Sequence, residues 1–313
     1  MVYRKISRSK TVRQKRKNYG WLFLVLLSIL AATFTVISYL MFFDGGNANM
    51  TGEETADESA YENSENTEVE TKKIDFQPVI DKWVGSVGGS RSVLIYDLER
   101  DEIVGEYNIK ENYNTASLYK LFVVHEGYRR VENGEWQADT AAGKTGYSII
   151  ECLDLAIRES NSVCAETLHK MIGYDELEKI VEDDFGIKNT SVEGLNSNAS
   201  DVAKIMKLFY EHPDIKNEAL IAKMQDSFLN QPVTEYDWRQ GLPSGFSDKA
   251  KVYNKVGWSY NEEAKQWDIY HDAAIVEFPS ENRHFIVVVM TNKVPFQQIR
   301  RLGAEIEKTF YNN

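Results

Sequence analysis

Of the 313 residues only two are cysteines, Cys152 and Cys164, and five are histidines. They form no Cys-x-x-Cys pair and no His/Cys cluster, so no metal or other cofactor is expected. The separation of the two cysteines, around expected helices, fixes no pairing geometry; they are read as two free, buried thiols. Basic charge is in deficit, with 36 Lys and Arg against 48 Asp and Glu and a formal net charge of −12. A nucleic-acid binder needs a basic face for the phosphates, so that class is excluded. Nineteen glycines and six prolines are too few for a collagen-like repeat. Long apolar runs are absent but for one, which excludes a polytopic membrane protein. What is present, 42% hydrophobic and 12% aromatic residues, can bury a real core.

Charge is distributed in blocks. Residues 1–17 carry eight Lys or Arg and no acid, whereas residues 44–71 carry nine Asp or Glu and no base. With both blocks removed, residues 72–313 still hold −11. Between the blocks, Trp21–Phe43 contains no acid or base. At a rise of 1.5 Å per residue such a run crosses a hydrocarbon core of about 30 Å. Tyr19 and Trp21 before it, and Phe42 and Phe43 after it, suit the two interfaces, and the basic flank places the N-terminus in the cytoplasm. A cleaved signal peptide has a shorter apolar region and a small-x-small site; this run ends Leu40-Met41-Phe42-Phe43 and is read as a retained anchor in the lipid bilayer. The organisation expected is a basic cytoplasmic tail (1–20), a single transmembrane helix (21–43), an acidic flexible linker (44–75) and an exported domain (76–313).

The exported domain reads as sheet at both ends and helix between. Ser92–Leu98 and Ile103–Ile109 form a hairpin, and Ala250–Val256, His271–Phe278 and His284–Thr291 are three later strands. The last is continuously apolar, as a strand covered on both faces should be. Phe296, Ile299, Leu302, Ile306 and Phe310 recur at helical spacing and close the chain with an amphipathic helix. Helical runs over Leu118–Val131, Ile149–Glu159, Val163–Met171, Tyr174–Asp183 and Asp201–Tyr210 fill the middle. The class is α+β: a five-stranded antiparallel sheet from both chain ends, flanking helices, and an inserted all-helical subdomain with a cleft at the junction.

Three short motifs lie along that cleft. In Ser117-Leu118-Tyr119-Lys120, Thr115 can cap a helix starting at Ala116, which puts Ser117 and Lys120 on one face. A hydroxyl beside a desolvated amine is an activated nucleophile, and a helix N-terminus offers N–H groups to an oxyanion. Ser160-Asn161-Ser162 occupies an interhelical turn, and Lys255-Val256-Gly257-Trp258 ends a strand. Singly, each pattern is commonplace.

Together and in this order, SxxK, SxN and KxG resemble the penicillin-recognising serine hydrolases, closest to the class A β-lactamase-like branch. Arg239-Gln240-Gly241-Leu242-Pro243 before the third motif and His271-Asp272-Ala273-Ala274-Ile275-Val276 after it extend the resemblance across roughly residues 76–311. The resemblance implies Ser117 as the acylated nucleophile, Lys120 as its activator, Ser160 as the proton relay and Lys255 as the group that holds the substrate carboxylate. Gly257 would let substrate approach the strand, and the N–H groups of Ser117 and Trp258 would form the oxyanion hole. The substrate implied is a β-lactam or a D-Ala-D-Ala-like stem peptide of peptidoglycan.

The chain departs from the family pattern at three places. Ser162 stands where the family has an asparagine amide, and Val256 where it has a hydroxyl on the substrate carboxylate. A hydrogen bond to a charged group is worth about 1.5–3 kcal/mol, and His271 is the candidate replacement donor. The deacylating acid has one candidate, Glu193 in Glu193-Gly194-Leu195-Asn196, at a spacing one residue tighter than the family's. The reading is a membrane-anchored extracytoplasmic serine hydrolase in a bacterial cell membrane. The choice between β-lactamase and D,D-peptidase stays open, as does a non-catalytic binding or sensing domain for cell-wall peptides.

Overall fold

The computed structural model describes residues 72–232 and 237–313; the apolar run 21–43 and nearly all of the acidic linker lie outside them. Among the described residues no helix is long and apolar enough to cross a membrane. In chain order the elements begin with α1 (Gln77–Ser86), β1 (Ser90–Asp97), β2 (Glu102–Tyr107) and β3 (Tyr113–Asn114). A 3-10 turn (Ala116–Tyr119) then runs into α2 (Lys120–Glu132). The helical region continues with α3 (Ile149–Arg158), α4 (Ser162–Ile172), α5 (Tyr174–Asp183), the short β4 (Asn196–Ser197), α6 (Ala199–Glu211) and α7 (Glu218–Leu229). A 3-10 turn at Pro243–Gly245, then β5 (Lys251–Asn261), β6 (Gln266–Phe278), β7 (Arg283–Asn292) and α8 (Phe296–Asn312) complete the chain.

The main sheet is antiparallel, in the order β2-β1-β7-β6-β5. The two ends of the described domain therefore meet in one sheet, as the strand pattern predicts. Central β7 explains its continuous apolar run. Ile286, Val288 and Met290 face the core shared with the inserted helices. Phe285, Val287 and Val289 alternate with them and face a second core, to which α1 and α8 contribute Ile80, Trp83, Ile299, Leu302 and Phe310. Both faces are covered, so neither set of positions tolerates charge. This is an α+β architecture, with eight α-helices among the described residues.

Two helices escape the sequence reading. Helix α1 has Pro78 in its first turn and buries Ile80, Trp83 and Val84, an N-terminal proline and an i, i+3, i+4 stripe that carry the signal. Helix α7 is capped by Asn217, whose side chain accepts from the Ala219 and Leu220 N–H groups. The β5–β6 hairpin is also longer than expected. It runs on through Asn261 and Gln266, held by aromatic contacts: Trp258 stacks on Trp267 at 4.8 Å and Tyr260 meets Trp267 edge-on at 5.3 Å.

The small β3–β4 ladder matters for the site. Tyr113 pairs with Ser197 and Asn114 with Asn196, and Thr115 N–H donates to the Leu195 carbonyl at 2.8 Å. The segment entering the Ser117 turn is thereby fastened to the loop that follows Glu193.

Candidate active site

Ser117 lies in a 3-10 turn, not the opening of an α-helix. At three residues per turn, positions i and i+3 eclipse, so Ser117 stacks over Lys120 more directly than α geometry would allow. Thr115 does not cap the turn; its backbone is helical, and its hydroxyl is turned to the Ala116 carbonyl. Asn114 takes that role, its side-chain oxygen accepting the Ala116 N–H at 2.9 Å. Ala116 itself has φ +44°, and Ser160 has φ +54°. Left-handed conformations at non-glycine residues cost about 1–3 kcal/mol each and persist where the surroundings enforce them. Both flank the same cleft.

The second hydroxyl, Ser160, ties the cluster together. Lys120 Nζ donates to the Ser160 carbonyl, to Ser160 Oγ at 3.3 Å and to Ser162 Oγ at 3.1 Å. From the sheet side, Lys255 Nζ donates to Ser160 Oγ at 2.9 Å and to the Val256 carbonyl at 2.9 Å. Lys120 is 0% exposed and Lys255 1%. Burial lowers the Lys120 pKa to about 8, with Glu166 pulling the other way. Lys255 is pushed well below the usual lysine range by burial and by its neighbour Lys120, against the pull of Asp272. Ser117 remains partly exposed, and among the described residues its hydroxyl bonds to none of these groups.

Gly257 brings the sheet to the nucleophile. A Cβ there would stand 2.6 Å from the Thr115 carbonyl oxygen and 3.3 Å from the Leu118 nitrogen. Only glycine lets β5 approach the Ser117 turn this closely. The backbone direction at Trp258 follows from the strand. The carbonyls of Val252, Asn254 and Val256 accept from Arg239 Nη2 (3.0 Å), Gln231 Nε2 (2.6 Å) and Lys255 Nζ, so these residues point away from β6. Strand residues alternate, so Trp258 aims its N–H off the same edge, toward the Ser117 turn.

Two expected site residues stand elsewhere. His271 is 0% exposed. Its Nδ1 accepts the Thr291 N–H at 2.9 Å and its Nε2 lies 2.8 Å from the Asn114 carbonyl. With Nδ1 accepting, Nε2 carries the proton and donates to that carbonyl. Burial pulls its pKa down to about 4, so the ring is neutral. The expected substrate donor is instead a strut from the sheet to the residue that caps the Ser117 turn. Glu193 is exposed; its backbone N–H donates to Glu178 at 2.8 Å, and its carboxylate acts electrostatically on the His169 ring. The carboxylate that acts on Lys120 is Glu166, one helical turn after Ser162 on α4, accepting from Tyr119 OH at 2.7 Å.

The cysteine expectation is overturned. Cys152 on α3 and Cys164 on α4 form a disulfide with Cα atoms 4.8 Å apart. The two helices it joins bracket the Ser160–Ser162 turn. Asn161 is spent on structure too, its side chain capping α4 by accepting the Cys164 N–H at 3.0 Å. Among the described residues no cluster could hold a metal ion.

Residues 75–312 match the sequence profile of the β-lactamase enzyme family. The chain belongs to that family. In fold it is similar to a class A β-lactamase from Bacteroides cellulosilyticus, with TM-score 0.64 and 17% identity over 76% of this chain and 99% of that one. A β-lactamase from Chitinophaga pinensis gives TM-score 0.62 at 15% identity, over 74% and 97% of the two chains. PBP-A gives 0.62 at 17%, over 76% and 96%. No curated protein matches. The family and fold are those of the penicillin-recognising serine hydrolases. Within that frame Val256 is a buried apolar side chain, and Ser162 reaches Lys120 from the first turn of α4.

Proposed function

We propose that the protein is an extracytoplasmic serine hydrolase, anchored in a bacterial cell membrane through residues 21–43, that forms an acyl-enzyme with a β-lactam or a D-Ala-D-Ala-like stem peptide. The observation that carries this reading is the convergence of Lys120, one turn after Ser117, and of Lys255 on the Ser160 hydroxyl. Lys120, with its lowered pKa, takes the Ser117 proton as Oγ attacks the substrate carbonyl carbon. The N–H groups of Ser117 and Trp258 stabilise the oxyanion. Collapse of the tetrahedral intermediate breaks the C–N bond, and Ser160 passes its proton to the leaving nitrogen while drawing one from the lysine pair. Lys255 attracts the substrate carboxylate. Support for the anchor is the uncharged run with its one-sided basic flank; an oxidising compartment also suits the Cys152–Cys164 bond.

Incubating residues 72–313 with a fluorescent penicillin and mapping the adduct by mass spectrometry tests the reading. A label on Ser117, lost in Ser117→Ala, is the expected result; no label on a folded domain would sink it. A second reading, a domain that acylates or binds without efficient turnover, draws on the exposed position of Glu193. Comparing nitrocefin release by wild type and Glu193→Gln separates the two. Fast release that the substitution traps marks a working β-lactamase, whereas slow release in both marks the second reading.

A further inference from the structure

One carboxylate beside the lysine–serine cluster has no step assigned to it. Glu166 lies on α4 four residues after Ser162, so the two share a face of the helix, with Cβ atoms about 5–6 Å apart. Helix side chains lean back toward the N-terminus, which carries the Glu166 carboxylate toward Ser162 rather than away from it. Ser162 Oγ is itself 3.1 Å from Lys120 Nζ. From the nucleophile's side, Tyr119, two residues after Ser117 in the same 3-10 turn, donates its hydroxyl to Glu166 Oε1 at 2.7 Å. The Tyr119 ring lies beside Lys120, whose Nζ is 5.8 Å from the ring centroid. Contacts from α4 and from the Ser117 turn thus hold one carboxylate next to the residues that activate the serine.

Its two oxygens are in different states. Tyr119 is buried, and that burial, together with the adjoining carboxylate, pushes its hydroxyl well above the usual tyrosine range, so it stays a donor to Oε1. Glu166 is otherwise exposed and forms no ion pair among the described residues, which leaves Oε2 open to water. The loop carboxylate is placed differently. Glu178 Oε1 accepts the Glu193 N–H at 2.8 Å and the Ser191 hydroxyl at 3.1 Å, and Ser191 Oγ accepts the Gly194 N–H at 2.9 Å. These bonds fasten the backbone on both sides of Glu193, and among the described residues no hydrogen bond joins its side chain to the lysine–serine cluster.

We propose that Glu166 is a catalytic residue for the second half of the reaction, the general base for the water that releases the acyl group from Ser117. The proposal rests on the serine-hydrolase reading and moves the deacylating role from the loop to α4. Oε2 accepts a proton from the water as the water oxygen bonds to the acyl carbonyl carbon, and the oxyanion is held as in acylation. Collapse of the tetrahedral intermediate breaks the C–Oγ bond. The proton taken by Glu166 returns to Ser117 Oγ by way of the Lys120 amine, and the product leaves as the free acid, which restores both serine and carboxylate.

The test follows the acyl group on Ser117 by time-resolved mass spectrometry of the full chain after free penicillin has been removed. Glu166→Gln keeps an acceptor for the Tyr119 hydroxyl but cannot take a proton. It should still acquire the label, with release slowed about 10²–10⁴-fold against wild type, as for loss of a general base. Glu193→Gln should slow release far less, and Tyr119→Phe, which frees the carboxylate without removing it, should fall between the two. Release from Glu166→Gln as fast as from wild type overturns the proposal, and so does trapping of the acyl group by Glu193→Gln instead. Label on Ser117 in every protein with equal release removes the proposal alone, whereas label in none of them removes the hydrolase reading and the proposal with it.

Discussion

Lys255 Nζ donates to Ser160 Oγ at 2.9 Å, across 95 residues of chain and from opposite sides of the cleft. The bond fixes where the sheet and the helical insertion meet, and it gives the Ser160 hydroxyl a cationic partner through which a proton can be replaced. Ser160→Ala removes the acceptor of both lysines while changing little volume. Penicillin labelling of Ser117 is expected to slow by about 10²–10⁴-fold, as for loss of a proton-transfer group, with the melting temperature nearly unchanged. Stopped-flow labelling checks it, and a rate within threefold of wild type would exclude a relay through Ser160.

The approach of β5 to the nucleophile gives a second prediction. In Gly257→Ala, the new methyl meets the Thr115 carbonyl at 2.6 Å, and that backbone cannot swing away as a side-chain tip could. Overpacking of this kind costs about 1–3 kcal/mol. Urea denaturation should report that loss, and labelling of Ser117 should fall further than stability alone explains, since the turn carrying the nucleophile must move.

Reduction addresses the disulfide. Closing a loop of 12 residues stabilises the fold by about 3 kcal/mol. Cys152→Ser with Cys164→Ser, or treatment with a dithiol, should lower the melting temperature and slow acylation, because the bond braces the two helices that present Ser160 and Ser162. Equal labelling rates in oxidised and reduced protein would confine the bond to stability.

The lysines set the pH response. Lys120 accepts a proton only when neutral, so labelling should rise as pH passes through about 8. Stability follows the same shift. Below about 8 both folded and unfolded chains hold the Lys120 proton, and the penalty for burying the charge is present in full. Between about 8 and 10.5 the folded state binds fewer protons than the unfolded one, so stability rises with pH across that window. Urea midpoints at pH 7.5 and 10, compared in wild type and Lys120→Met, isolate this contribution; equal slopes in the two proteins would assign it elsewhere.

Sequence periodicity carries far where one physical cause dominates. Phe296, Ile299, Leu302, Ile306 and Phe310 predict α8 because burial on one face sets their spacing, and the structure buries all five. The SxxK, SxN and KxG motifs lead to the cluster because lysine, serine and glycine at those positions are what its geometry requires. Cys152 and Cys164 were unreadable for a different reason. Their pairing depends on how α3 and α4 return past each other, which neither helix encodes alone. His271 misleads for a related cause, since a ring at a strand position can face cleft or core, and only Thr291 and Asn114 decide which. Glu166 could have been found from its place four residues after Ser162 on one helix, a spacing that shares a face.

The outer strand of the sheet has one more property. A bare edge invites another chain to pair along it, which is how sheets aggregate. Arg239 and Gln231 cap the Val252 and Asn254 carbonyls from the side, so a foreign strand arriving there finds those acceptors already taken. Lys255 Nζ takes the Val256 carbonyl in the same way. An extended chain arriving along β5 therefore meets three carbonyls already taken, and the same capping that keeps the molecule from stacking on its neighbours also limits where along the strand a ligand's backbone can register.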